Sequence, residues 1–107
     1  MRPLYEIAHG RAGDKGDTSN VSIIAYRAED WPLIQREVTA ERVTTLFRRF
    51  GPVTVRRFEL PNLQALNFVI ENALGGGVNA TLALDRHGKT LSSFFLSEFV
   101  VSAEDDP

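Results

Sequence analysis

Apolar and polar positions alternate with period two over several stretches of this chain, and each stretch predicts a strand. From Leu4 to His9, the residues Tyr5, Ile7 and His9 fall on one face. Asn20 to Arg27 sets Val21, Ile23 and Ala25 against Ser22, Ile24 and Tyr26; both sets are fairly apolar, as in a central strand. The segment between, Gly10 to Ser19, is polar and glycine-rich and predicts a loop. Asp30, with Pro32 in the first turn, predicts the cap of a short helix. Thr39 predicts a second N-cap, with Val38 and Val43 as a hydrophobic staple. Val43, Leu46, Phe47 and Phe50 then follow a buried helical stripe, which Gly51 and Pro52 end.

Val53 to Leu60 predicts a third strand, with a bulge near Arg56 and Arg57 where the apolar parity changes. Pro61 and Asn62 open a predicted helix with Leu63, Leu66, Ile70, Ala73 and Leu74 on its core face, ended by Gly75, Gly76 and Gly77. Val78, Ala80, Leu82 and Leu84 alternate as a fourth strand, Asp85 to Lys89 is a hairpin turn, and Leu91 to Val101 reads as the last strand. The predicted order is β-β-α-β-α-β-β, an α+β domain of two layers with helices on one face of one sheet. The expected core includes Ile23, Phe47, Leu66, Ile70 and Leu82.

The 107 residues suit one domain, expected over 1–102, with the acidic stretch 103–107 as a disordered tail. A net charge of -2 argues against nucleic-acid binding, so the arginines between Arg36 and Arg57 are expected on solvated faces. There is no cysteine, which removes thiol catalysis, disulfides and thiolate-bound clusters. Neither a signal peptide nor a membrane span is visible, so the expected location is cytoplasmic.

His9-Gly-Arg-Ala-Gly-Asp-Lys-Gly-Asp-Thr-Ser-Asn20-Val21 resembles the signature of the acyclic terpene utilisation AtuA-like domains. Leu60-Pro-Asn-Leu-Gln-Ala-Leu-Asn-Phe68, Ala73-Leu-Gly-Gly-Gly-Val78 and Thr39-Ala-Glu-Arg-Val43 resemble it too, so the likeness runs along nearly the whole chain. The resemblance implies a ferredoxin-like sandwich and a link to bacterial breakdown of acyclic terpenoids or branched acyl-CoA compounds. It implies no particular reaction. In that family the domain occurs inside larger proteins and as a free-standing chain of about this length, which this one resembles. Gly10 stands where the family leads one to expect alanine.

Three groups of residues carry candidate chemistry. In the loop from Gly13 to Asn20, Gly13 and Gly16 permit positive φ, so backbone N–H groups can converge on an anion beside Lys15 and Arg11. Asp14 or Asp17 would then serve as base or acceptor, and His9, at the mouth of the loop, is a further catalytic candidate. The same residues equally describe a structural hairpin in which Asp14, Asp17 and Asn20 hold backbone donors. Asn67, on an apolar stripe, either satisfies a neighbouring backbone or faces a ligand or subunit. Gly75, Gly76 and Gly77 exceed the one glycine a helix end needs, which suggests close approach of another backbone or a ligand. No metal-ligand spacing, cofactor motif or nucleophile elbow is visible.

The expectation is a component of terpenoid or branched acyl-CoA catabolism that binds an anionic substrate, an acyl-CoA or terpenoid carboxylate, through the Gly13–Asn20 loop. The alternative is a non-catalytic module docking on a larger AtuA-type protein. Either way a homo-oligomer is expected. The last predicted strand is apolar on both faces, and one helix layer covers only one face of a sheet.

Overall fold

The structure is a computed structural model that describes residues 1–15, 18–72 and 90–102. Its strands are β1 (Arg2–Pro3), β2 (Ala8–Lys15), β3 (Thr18–Ala25), β4 (Val53–Leu60), β5 (Ala65–Asn72) and β6 (Val100–Val101). Its helices are α1 (Trp31–Glu37), α2 (Ala40–Phe47) and α3 (Leu91–Glu98). The four long strands form an antiparallel sheet in the order β2-β3-β5-β4, and β1 pairs with β6 in a separate two-stranded ladder. The fold is α+β.

The alternation of β3 decides the faces of the sheet. Val21, Ile23 and Ala25 are buried, and their neighbours across the sheet are Leu66, Phe68 and Ile70 of β5. On this inner face Phe95 of α3 lies against Phe68 at 5.5 Å, and Phe47 of α2 lies 5.5 Å from Phe94 and 5.8 Å from Phe95. Rings packed at these separations add to the burial of their area. Val38, Val43, Phe47, Ile23, Leu66 and Ile70 are all in this core, and Leu82 lies outside the described residues.

Local signals act largely as their chemistry requires. Thr39 caps α2, its side chain accepting from the Arg42 backbone N–H at 3.2 Å. Gly51, at φ 114°, ends the turn after α2 in a backbone region that favours glycine. Asp30 precedes α1 but makes no cap; it is buried and faces Arg27 at 3.4 Å and Arg2 at 3.9 Å.

Five expectations about strands, loop and helices need correction. The first strand does not run from Leu4 to His9: a 3-10 turn at Leu4–Glu6 separates β1 from β2. The predicted loop from Gly10 to Ser19 is mostly strand, since β2 and β3 pair without a break from Ala8↔Ala25 to Lys15↔Thr18. The predicted helix after Pro61 is instead a 3-10 turn at Pro61–Leu63, a left-handed Gln64 at φ 51°, and strand β5. The predicted last strand from Leu91 is helix α3, opened by a Thr90–Ser93 capping box, and only Val100–Val101 is extended. The order β-β-α-β-α-β-β therefore fails at both of its later positions. The bulge at Arg56–Arg57 is absent as well: β4 pairs one-to-one with β5, and Arg57 simply takes an inward position.

The predicted strand at 78–84, the turn at 85–89 and the tail at 103–107 lie outside the described residues. Among the described residues, no helix is long and apolar enough to cross a membrane.

Candidate functional site

The outer face of the four-stranded sheet is built from the residues between the core positions. Antiparallel pairing sets them in rows across the strands. One row reads Arg11, Ser22, Asn67 and Phe58 from β2 to β4, and the next reads Gly13, Asn20, Val69 and Arg56. A further row, away from the hairpin tip, reads His9, Ile24, Ala65 and Leu60.

Asn67 sits at the centre of this surface. Its Nδ2 carries two hydrogens and donates one to Asn20 Oδ1 at 2.6 Å and the other to Ser22 Oγ at 2.9 Å. Among the described residues, Asn67 Oδ1 and Asn20 Nδ2 accept and donate no further bond. Towards β4, Arg56 meets Glu71 at 2.7 Å; both are well exposed, so the pair adds little stability. At the other end, the exposed His9 ring lies 5.0 Å from Tyr26. Tyr26, Phe58 and Leu60 are 62%, 48% and 40% exposed, so the face is polar in the middle and apolar towards one end.

The structure thus places His9, Arg11, Asn20 and Asn67 on one surface, although they come from segments far apart in sequence. Gly13 lies in extended, paired backbone with nothing within 4 Å of where a Cβ would stand. Asp14 and Lys15 pair with Ser19 and Thr18. Extended pairing directs successive N–H groups alternately to either side of a strand, so this part of the hairpin does not form a converging anion cradle. Gly16, Asp17 and the glycines Gly75, Gly76 and Gly77 lie outside the described residues. Gly10 points inward: a Cβ there would meet Ser22 O at 3.0 Å and Leu96 Cδ1 at 3.4 Å, so it admits the close approach of α3.

Sequence reasoning passed over Ser22, Phe58, Arg56 and Tyr26 as members of this surface. Ser22 and Tyr26 were legible in the alternation of β3, on the face opposite Val21 and Ile23. Phe58 and Arg56 were hidden by the supposed bulge.

Among the described residues, no hydrogen bond joins His9 to a carboxylate or hydroxyl, so no relay of the nucleophile-and-base type is assembled. No described group of three His, Asp or Glu side chains could hold a metal ion. A groove of about 320 Å³ lies elsewhere, between α2 and the residues Glu98, Phe99 and Val100. Its guanidiniums are engaged in holding the chain together: Arg42 donates to Glu37 O at 2.9 Å and to Val100 O at 2.6 Å, and Arg49 faces Glu98 at 3.8 Å.

Neither the curated proteins nor the solved structures contain a match to the chain. A family model does match: residues 2–101 fit the AtuA ferredoxin-like domain. With nearly its whole length matched, the hairpin that carries Arg11 and Asn20 and the strand that carries Asn67 included, the chain belongs to the AtuA ferredoxin-like domain family.

Proposed function

We propose that this domain is a non-catalytic binding and assembly module, serving the breakdown of acyclic terpenoids or branched acyl-CoA compounds, and that it works by presenting the outer face of its sheet to another protein surface. The observation that supports this is the character of that face: amide groups of Asn20 and Asn67 with valences that no described residue takes up, beside exposed Phe58, Leu60 and Tyr26. Small-molecule sites enclose ~70–90% of their ligand in a concave cavity, which a sheet face does not provide, whereas interface cores are enriched in aromatic residues and arginine. Calorimetry of the purified chain against a longer AtuA-type protein tests it. Saturable binding is expected, with Phe58→Glu weakening it at least about tenfold by burying a charge among apolar groups. Turnover of an acyl-CoA by the chain alone would overturn the reading.

A second reading has one specific observation in its favour. Arg11 stands one row position from Asn20 and beside Ser22, so a guanidinium and an amide face solvent on the same patch. Such donors suit the carboxylate of a terpenoid acid or the anionic end of an acyl-CoA, next to the hairpin where sequence reasoning placed it. This reading requires that Arg11→Ala weaken binding of a branched carboxylate by about tenfold or more without lowering thermal stability, the loss expected for one charge-assisted hydrogen bond. Equal binding by wild type and variant would remove it.

A further inference from the structure

The face described above is written so that it complements itself, and we infer that its occupant is a second copy of this chain, packed sheet to sheet about a twofold axis that runs parallel to the strands between β3 and β5. The inference rests on the reading of the face as a protein-binding surface. Such an axis opposes β3 with β5 and β2 with β4, so every row meets its own reversal, as an isologous interface requires.

The rows suit reversal. Arg11, Ser22, Asn67 and Phe58 read backwards set the Arg11 guanidinium over the second copy's Phe58 ring and Ser22 against its Asn67. After the internal bonds of the cluster are made, the Asn20 Nδ2 hydrogens and the Ser22 hydroxyl on β3 remain as donors and Asn67 Oδ1 on β5 as an acceptor, among the described residues. Exchange of β3 with β5 sets the second copy's Asn67 over Ser22, where its Oδ1 can accept from the Ser22 hydroxyl, twice, with Asn20 one row along. The row of Gly13, Asn20, Val69 and Arg56 reversed lays the long Arg56 side chain over Gly13, where the space for a Cβ is open. In these rows no guanidinium falls opposite another, and the exposed apolar end of one copy meets that of the other.

Size agrees. Four strands of eight residues span roughly 500 Å² in flat projection, from a strand spacing of ~4.8 Å and a rise of ~3.3 Å per residue. The corrugated side-chain surface is larger than this projection; a standard interface buries ~800 Å² per partner. Aligned sheets cross at ~30°, which keeps the central rows in register while the corners diverge.

Sedimentation equilibrium on the intact chain, from micromolar to near-millimolar concentration, tests the inference with two variants. Phe58→Glu puts a charge into the apolar part of the interface. Gly13→Leu fills the space that Arg56 of the second copy would take, and its Cβ meets nothing within 4 Å in its own fold. The expected result is twice the 11.9 kDa chain mass for the wild type and at least a hundredfold weaker association for both variants, with the circular dichroism of the folded chain unchanged. A wild type that stays monomeric throughout, or folded variants that remain dimeric, overturns the inference. The two levels separate in the calorimetry against the longer AtuA-type protein. If the wild type is monomeric but Phe58→Glu abolishes that binding, the dimer falls and the binding face stands. If the wild type is monomeric and the variant binds equally well, both fall.

Discussion

Asn67 shows how one side chain organises a surface. Its amide reaches across to the neighbouring strand and spends both hydrogens on Asn20 and Ser22, which fixes the direction of two further polar groups. Each bond is partly exposed, so each contributes towards the low end of the usual ~0.5–1.5 kcal/mol. Asn67→Ala should therefore lower stability by about 1 kcal/mol in urea denaturation. Asn67→Asp should cost less than about half of that, because the Asn20 amide and the Ser22 hydroxyl can each turn to donate to a carboxylate. A larger loss in the aspartate variant than in the alanine variant would show that neither neighbour can reorient. The residue was noticed in the sequence as a polar intrusion on an apolar stripe, but its partners were not. Leu66 and Ile70 lie four apart, a spacing that puts them on one face of a helix and equally on one face of a strand. Their spacing alone therefore left open whether the chain around Asn67 coils or extends.

Among the elements, α1 and β6 are held by a single carboxylate. Glu37, at the end of α1, accepts from the Ser102 backbone N–H at 3.1 Å and from the Ser102 hydroxyl at 3.2 Å. Arg42, whose guanidinium lies 4.4 Å from the centre of the Phe99 ring, completes the tie through Val100 O. Burial works to raise the pKa of Glu37, but the Ser102 bonds and then Arg42 and Arg36 outweigh it, and the group lies below its ordinary value of 4.5. A carboxyl lowered in this way contributes stability above its unfolded pKa and loses it as the pH falls through the folded value. The wild type should therefore lose part of its urea stability on acidification below 4.5. Glu37→Gln keeps the acceptor but not the charge, so it should be less stable than wild type at neutral pH and converge with it in acid. Parallel curves for the two proteins would show that the charge on this tie contributes nothing. Helix α3 carries a different lesson. Leu91, Phe94, Phe95 and Phe99 are spaced as a helical stripe, and Thr90 with Ser93 caps it. The density of phenylalanine pointed to a strand because aromatic residues favour pleated surfaces, yet the cap and the spacing were the stronger local signals.

For the whole molecule, the aromatic cluster joins layers that are far apart in sequence. Phe47 from α2, Phe94 and Phe95 from α3 and Phe68 from β5 meet in one core, with Phe99 stacked on Phe95 at 5.7 Å. Phe47 is fully buried between them. Phe47→Ala should destabilise by about 3–5 kcal/mol, a large part of the ~5–15 that holds a domain of this size together, read from the denaturant midpoint. A small change would mean that α3 closes over the gap. The identity of α3 also alters the reasoning about association. Its phenylalanines are satisfied inside the core, so they supply no exposed patch. Among the described residues, the exposed large apolar side chains include Phe58, Leu60 and Tyr26 on the sheet face.

Local chemistry alone determined those parts of the chain whose signals are short-range and mutually consistent. Thr39 as the cap of α2, Gly51 as its stop, the extent of β4 and the division of β3 into two alternating faces all follow from neighbours within a few residues. The family is likewise legible in contiguous motifs. Tertiary structure alone decided whether the stretch after Pro61 extends, because β5 gains its hydrogen bonds from the sequence-distant β3 as well as from β4 across the turn at Pro61–Leu63. It also decided which side of the sheet is buried, since the strand period names two faces without saying which one the helices take. The meeting of Asn20 with Asn67 belongs to that second class: it exists because two strands separated by α1, α2 and β4 become neighbours, and no spacing within either strand encodes it.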